Sequence, residues 1–221
     1  MSAVWLSLQV GLLAAVLGLM PAMALGYLLA RKRFLGHGLL SALVLVPMVL
    51  PPVVTGLLLL EVVGRNTALG GALADIGLPL SFSFGGTVLA ALIVGLPLYV
   101  WSARAAFTAI DPRLEQLAAT LGAPPKQQFW RVTLPLALPG LAAGAVLAFA
   151  RGLGEFGATA VLAGNIQGET RTISLAVYQL LEDPSGQGVG LLVAASVILS
   201  MGALLAFEGL NRWQQRRLEQ P

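Results

Sequence analysis

Five long apolar runs constrain this chain more than any other feature. They cover residues 3–30, 39–63, 84–107, 132–163 and 187–210. Each run reaches the roughly 20 apolar residues that a helix needs to cross the hydrocarbon core of a bilayer. The composition agrees, because 57% hydrophobic and only 10% charged residues are too apolar for an ordinary soluble domain. The sequence therefore predicts an all-α polytopic membrane protein, residues 1–221, with five transmembrane helices in a single domain.

The positive charges predict how the chain is oriented. Ten of the 13 lysine and arginine residues fall in three segments, which follow the first, third and fifth runs. Five crossings put these segments on one side of the membrane, and the positive-inside rule makes that side the cytoplasm. The N-terminus is then outside and the C-terminus cytoplasmic. The basic charge balance thus reports topology, and no nucleic-acid partner is expected.

Little length remains for a soluble head, so an ATPase or catalytic domain is expected on another chain. The sequence has no cysteine and one histidine, His37, and it contains no P-loop pattern. We expect no metal or cofactor on this chain. A membrane enzyme is disfavoured because no nucleophile and base pair occurs in the loops. An ion-coupled secondary transporter remains an alternative, with Arg151 and Glu155 as its clear candidates for an intramembrane relay.

The loop after the third run, residues 111–131, is predicted to hold two short helices. Asp111 and Pro112 suit the start of the first helix, and Gly122 suits its end. Its apolar positions fall at i, i+3, i+4 and i+7, at Leu114, Leu117, Ala118 and Leu121. Two interpretations fit this stripe: a helix that enters a groove on a soluble partner, or a helix that lies in the membrane interface.

The fourth run contains two charges, Arg151 and Glu155, at a spacing that places them on one helical face. Each charge alone at midspan would cost about 2.5–3.5 kcal/mol, so pairing or contact with solvent is expected. They form either part of a transport pathway or a structural ion pair. Pro135 and Pro139 are expected to break the start of this run. The candidates for a pathway or gate are Thr55, Arg151, Gly154, Glu155 and Thr159.

Prolines 47, 51 and 52 break the second run near Thr55, and a static kink there is the alternative to a role in the pathway. Two short helices are expected outside the membrane, between residues 67 and 76 and between 170 and 183. Asn165, Thr170 and Arg171 are polar and are expected on the external side. They fit either a contact with a substrate-delivery protein or a solvated loop.

The loop and the fourth run together resemble the permeases of binding-protein-dependent ABC transporters. That family carries a cytoplasmic motif E-A-A-x3-G-x9-I-x-L-P, and its second half matches Gly122, Val132, Leu134 and Pro135. In the first half Ala118 matches, whereas Gln116 and Leu117 depart from the motif and Glu115 lies one place early. The stretches LAFARGLGEFGAT and GNIQGETRTISLAVYQLLEDP resemble molybdate permeases in particular, and related tungstate and sulfate permeases share part of them.

The resemblance implies a type I ABC importer permease in a bacterial cytoplasmic membrane. It implies a pathway between two copies of the chain, two cytoplasmic ATPase subunits that hold ATP and magnesium, an external molybdate-binding protein, and surrounding lipid. Residues 113–130 would be the coupling helices. The residues assigned to ATPase coupling are Leu114, Glu115, Gln116, Leu117, Ala118, Leu121, Gly122, Phe129, Val132, Leu134 and Pro135; those assigned to docking of the binding protein are Asn165, Thr170 and Arg171.

Overall fold

The computed structural model describes residues 2–182 and 188–219. Asp183 and Gln187, which belong to the predicted external loop and to the start of the fifth run, lie outside the described residues. Within those ranges the chain is helical and contains no strand. The helices are α1 (Ala3–Arg31), α2 (His37–Val49), α3 (Pro52–Val63), α4 (Ala68–Asp75), α5 (Phe84–Thr108), α6 (Pro112–Thr120), α7 (Pro125–Gln128), α8 (Leu134–Leu153), α9 (Gly157–Leu162), α10 (Ile173–Glu182) and α11 (Val189–Glu219).

Four helical segments are long and apolar enough to cross a bilayer. They are Ala3–Arg31, Phe84–Thr108, Pro125–Leu153 and Val189–Gln215. A fifth crossing results if α2 and α3 form one broken span, because they are bent by 112° across a short break. The fold is therefore that of a polytopic helical membrane protein.

The core is a bundle of α1, α5 and α8, which are far apart in sequence. Small residues allow the helix backbones to approach closely. A Cβ atom added at Gly26 of α1 would lie 2.6 Å from the Cβ of Ala103 on α5. One at Gly144 of α8 would lie 2.8 Å from the ring of Tyr99. These contacts explain why glycine, which disfavours helices in water, recurs within these long helices.

The remaining helices lie around this bundle. α11 packs on α8 and α10, α3 packs on α9, and α2 packs on α5. α2 has no buried residue. The two short helices expected outside the long runs are present as α4 and α10.

The predicted break at the start of the fourth run is wrong. A π-helical turn, Phe129–Thr133, joins α7 to α8 without interruption, and Pro135 lies just after this turn. The wider turn accommodates the N–H that Pro135 lacks, and α8 continues through Pro139. The run is broken instead at residues 154–156, where α8 ends and α9 begins.

Candidate functional site

The break between α8 and α9 is organised by the carboxylate of Glu155. Its side chain is 2% exposed, and both of its oxygens are engaged. Oε2 lies 2.9 Å from Nη1 of Arg151, and Oε1 accepts a hydrogen bond of 2.8 Å from the backbone N–H of Ala158 in the first turn of α9. A buried carboxylate is stable only when it is paired and hydrogen-bonded, and this one is both.

Arg151 is the exposed partner of the pair, because its side chain keeps 32% of its surface accessible. Glu155 is the only described ion-pair partner of Arg151 within residues 2–182 and 188–219. A guanidinium carries five N–H donors in a rigid plane, so it can hold Glu155 and still present donors to another acceptor. Arg151 therefore holds Glu155 and keeps a partly exposed guanidinium beside the break.

A second broken helix meets this break. A Cβ atom added at Gly157 would lie 3.0 Å from the Cβ of Pro52 and from the backbone N of Val53 at the start of α3. One added at Gly56 would lie 2.8 Å from the Cα of Ala158. The N-terminal ends of α3 and α9 are thus in direct contact. Interrupted backbone at membrane depth is tolerated beside protein or a water-filled cavity, and it is common where transporters bind substrate.

Three of the predicted pathway residues lie at this junction of broken helices, and two lie beside it. Arg151, Gly154 and Glu155 lie at or next to the break itself. Thr159 is buried on α9, and Thr55 is buried on α3 with its hydroxyl lacking a hydrogen-bond partner. Because α3 and α9 pack together, the structure brings all five residues into one region.

A cavity of about 430 Å³ opens next to the break, between α10 and α11. Phe156, Ser174, Tyr178 and Ser196 are among its lining residues. The rings of Phe156 and Tyr178 are 5.0 Å apart. A hydrogen bond to Glu182 and the charge of that carboxylate raise the pKa of Tyr178 above its usual value.

The predicted loop helices form the second part of the site. Asp111 caps α6 by accepting a hydrogen bond of 2.9 Å from the N–H of Arg113, and Gly122 ends the turn with a φ of 83°. The apolar stripe of α6 faces away from the bundle, since Leu114, Leu117 and Leu121 are 41%, 60% and 82% exposed. Clustered apolar side chains that no part of the protein covers mark an interaction surface.

The residues predicted for ATPase coupling divide into an exposed outer set and a half-buried inner set. Gln116, Gly122 and the three stripe leucines are exposed, and Ala118 is half-buried among them. Phe129 instead packs into the bundle, with its ring centroid 5.2 Å from that of Tyr27. The half-buried residues on the inner side are Glu115, Phe129, Val132, Leu134 and Pro135.

The three residues predicted for external docking belong to one hydrogen-bonded loop. Thr170 is fully buried; its hydroxyl donates to the carbonyl of Gly164 at 3.2 Å and accepts from the N–H of Ile166 at 2.9 Å. Thr170 thus stabilises the loop and exposes no surface that a docking protein could contact. Nε of Arg171 donates to Asn165 at 2.8 Å, and the exposed Asn165 donates to Gln179 at 3.1 Å. Asn165 and Arg171 remain the accessible pair.

Comparison with known proteins connects these features to one family. The model of the family described as "binding-protein-dependent transport system inner membrane component" matches residues 22–220. The chain belongs to this family.

The similarity between this permease and its relatives covers nearly the whole chain. It is 46% identical to the molybdenum transport system permease protein of Escherichia coli (strain K12), over 97% of this chain and 95% of that protein. It is 44% identical to the corresponding protein of Haemophilus influenzae, over 99% and 96%. In fold it is similar to the MetNI methionine ABC transporter in inward-facing conformations, with a TM-score of 0.66 at 18% identity, covering 99% of this chain and 95% of that one.

Sequence reasoning missed two residues that contact Glu115 in the predicted coupling loop. Arg31, the last residue of α1, and Thr133, the last residue of the π-helical turn, both contact Glu115. Arg31 belongs to the basic segment that follows the first apolar run, so the sequence indicates only a role in topology for it. Its partner is more than 80 positions away, so no local pattern could have indicated the contact.

Proposed function

We propose that this chain is the membrane-spanning subunit of an ATP-driven importer that moves molybdate into a bacterial cell. The observation that carries the proposal is the identity of 44–46%, along almost the full length, with molybdenum transport permeases. The broken-helix site supports it, because Arg151 supplies a partly exposed guanidinium suited to a divalent oxyanion.

The proposed orientation has the N-terminus outside and the coupling loop in the cytoplasm. Counting α2 and α3 as one broken span gives five crossings, and the three basic segments then share one side. Counting them as a re-entrant pair gives four crossings and separates the first basic segment from the other two. The positive-inside rule therefore favours the broken span, and with it the whole chain as one permease domain.

The pathway is proposed to form between two copies of the chain near the broken-helix site. In this arrangement Arg151 faces the anion, while Glu155 holds Arg151 in place and caps α9. Thr55, Gly154 and Thr159 supply the small and hydroxyl-bearing surroundings. Residues on broken helices can shift with small changes in backbone angle, so the same site is suited to act as a gate.

The partners follow from the two polar ends of the molecule. The exposed leucine stripe of α6 suits a groove on a cytoplasmic ATPase, which would bind ATP and magnesium. The loop with Asn165 and Arg171 suits an external protein that delivers the oxyanion. This chain performs no covalent step in the cycle. It contributes two conformations that nucleotide and substrate stabilise differently, which is the physical requirement for coupling.

The proposal is tested by ATP hydrolysis in proteoliposomes that contain this chain with the ATPase and binding protein encoded beside it. Molybdate, tungstate, sulfate and no anion are compared. We expect molybdate to stimulate hydrolysis and sulfate to have no effect. Stimulation mainly by sulfate would keep the ABC importer and replace its substrate, whereas failure to assemble with any ATPase would favour a secondary transporter.

A further inference from the structure

Two polar side chains from distant parts of the chain, those of Arg31 and Thr133, converge on Glu115 in the coupling loop. Oε1 of Glu115 accepts a hydrogen bond of 2.6 Å from the hydroxyl of Thr133 and lies 3.3 Å from Nη2 of Arg31. The same Nη2 donates to the carbonyl of Ile110 at 3.1 Å. We refer to Arg31, Ile110, Glu115 and Thr133 as the loop junction.

The loop junction is shielded from water, although it lies at the end of the bundle. The side chains of Arg31 and Glu115 are 14% and 24% exposed, and Thr133 is buried. Nε of Arg31 is buried without a hydrogen-bond partner, so this guanidinium is held in place through Nη2. Partial burial strengthens the attraction between Arg31 and Glu115 relative to a surface pair.

The junction also provides a polar anchor for α6 on the bundle. α6 has no buried residue, and its apolar stripe faces outward. Hydrophobic packing therefore does little to orient this helix. Glu115 instead fixes α6 to the end of α1 through Arg31 and to the start of α8 through Thr133.

The carboxylate of the loop faces the membrane helices rather than the proposed partner. Gln116, the next residue, is exposed and occupies the motif position where the family has glutamate. One residue along a helix turns the side chain by about 100°. The shift by one place thus moves the negative charge from the outer face of α6 to its inner face.

On the basis of the function proposed above, we propose that Glu115 is a positioning residue that transmits movement of α6 to α1 and α8. Displacement of α6 by the ATPase would carry the ends of both helices with it, because the ion pair and the hydrogen bond link all three. Gln116 has no part in this link.

The test compares Glu115→Ala, Thr133→Val and the control Glu61→Ala in the assembled transporter; Glu61 is an exposed carboxylate on α3, outside the coupling loop. We expect Glu115→Ala to lower the anion taken up per ATP hydrolysed by about tenfold while at least half of the bound ATPase is retained. Thr133→Val keeps the side-chain volume and should give a smaller loss in the same ratio, and Glu61→Ala should stay within about twofold of the unmodified protein in both measurements. Loss of bound ATPase with an unchanged ratio in Glu115→Ala would overturn the proposal, as would no change in either.

A second measurement tests the loop junction independently of the proposed molybdate transport. Thermal unfolding of the purified permease is followed for Arg31→Gln, Glu115→Gln and the double variant. If the junction exists, the double variant unfolds at about the same temperature as the less stable single variant, because the second change removes a contact already lost. Fully additive shifts would exclude the junction. Neither result depends on which anion is carried.

Discussion

Glu155 combines two tasks that are usually divided between residues. One oxygen holds Arg151, and the other accepts the hydrogen bond of the first turn of α9. Its charge and its position therefore have separable effects. A substitution that keeps the acceptor but removes the charge should spare α9 while it releases Arg151.

Glu155→Gln and Glu155→Ala distinguish these tasks. The glutamine keeps an oxygen for the N–H of Ala158, whereas the alanine loses both contacts. We expect Glu155→Ala to cost about 3 kcal/mol, the lower end for a broken buried pair because Arg151 is partly exposed, and Glu155→Gln to cost less. Thermal unfolding in detergent measures both. Equal destabilisation by the two variants would contradict the capping role.

Substitutions of Arg151 test its proposed role in transport. If Arg151 faces the path as proposed, Arg151→Ala should reduce molybdate uptake per assembled transporter at least tenfold; the amount of assembled protein should also fall, because the buried Glu155 loses its ion pair. Arg151→Lys keeps the charge without the planar donor set, so uptake should be intermediate. The measurement is molybdate uptake by membranes that contain equal amounts of each assembled variant. Normal uptake by the alanine variant would remove Arg151 from the pathway.

The contact between α3 and α9 depends on the absence of side chains. Gly56 and Gly157 let the two helices approach until their backbones touch, and both helices begin at a break. A methyl group at Gly56 has no free space, because the nearest atoms belong to the backbone of Ala158. The helices would have to separate.

Gly56→Ala should therefore destabilise the permease and reduce transport. Gly202, on α11, is the control, since a Cβ atom added there meets nothing within 4 Å. In a helix interior glycine to alanine alone is favourable by about 1 kcal/mol, so Gly202→Ala should be neutral or stabilising. The two melting temperatures are compared directly. Similar values for both variants would show that the close approach is unimportant.

The exposed face of α6, the predicted coupling helix, can be tested by substitution. Leu117→Asp places a charge in the apolar stripe of α6, whereas Ala119→Asp places the same charge on another exposed side of that helix. Buried interface anchors typically contribute 2 kcal/mol or more, so Leu117→Asp should weaken ATPase binding by about thirtyfold. The amount of ATPase that co-purifies with each variant measures this binding. Equal loss in both variants would argue against the stripe.

The ends of the short helices could be predicted from sequence, but the contacts across the molecule could not. Asp111 and Gly122 act locally, so their roles at the ends of α6 follow from residue type alone. The expected break at Pro135 and Pro139 is wrong, because a π-helical turn before Pro135 keeps the helix continuous and the break falls at Glu155 instead. The direction of Glu115 depends on Arg31 and Thr133, which only folding brings near.

At the scale of the whole molecule, the bent pair α2 and α3 decides the topology. If it crosses the membrane, the loops at residues 35 and 78 lie on opposite sides; if it is re-entrant, they lie on the same side. Leu35 and Leu78 are both exposed. The chain contains no cysteine, so a single introduced cysteine is a unique label.

Leu35→Cys, Leu78→Cys and Thr120→Cys are treated separately with a membrane-impermeant thiol reagent in intact cells with a permeable outer membrane. We expect only Leu78→Cys to react before the cytoplasmic membrane is opened, and all three to react afterwards. The reason is the odd number of crossings that the basic segments indicate. Identical accessibility of positions 35 and 78 would establish a re-entrant pair.

The packing of α1 has a consequence for biosynthesis. α1 ends at Arg31, but its principal partner, α5, ends at Thr108, so 77 further residues (108 minus 31) must be made before the whole of α5 is present. At about 5–20 residues per second, the ribosome needs about 4–15 s for this. During that time the glycine-lined face of α1 has lipid or the insertion machinery as its neighbour. A lone helix satisfies its own backbone hydrogen bonds in a bilayer. α1 can therefore remain inserted as a single helix until α5 has been translated.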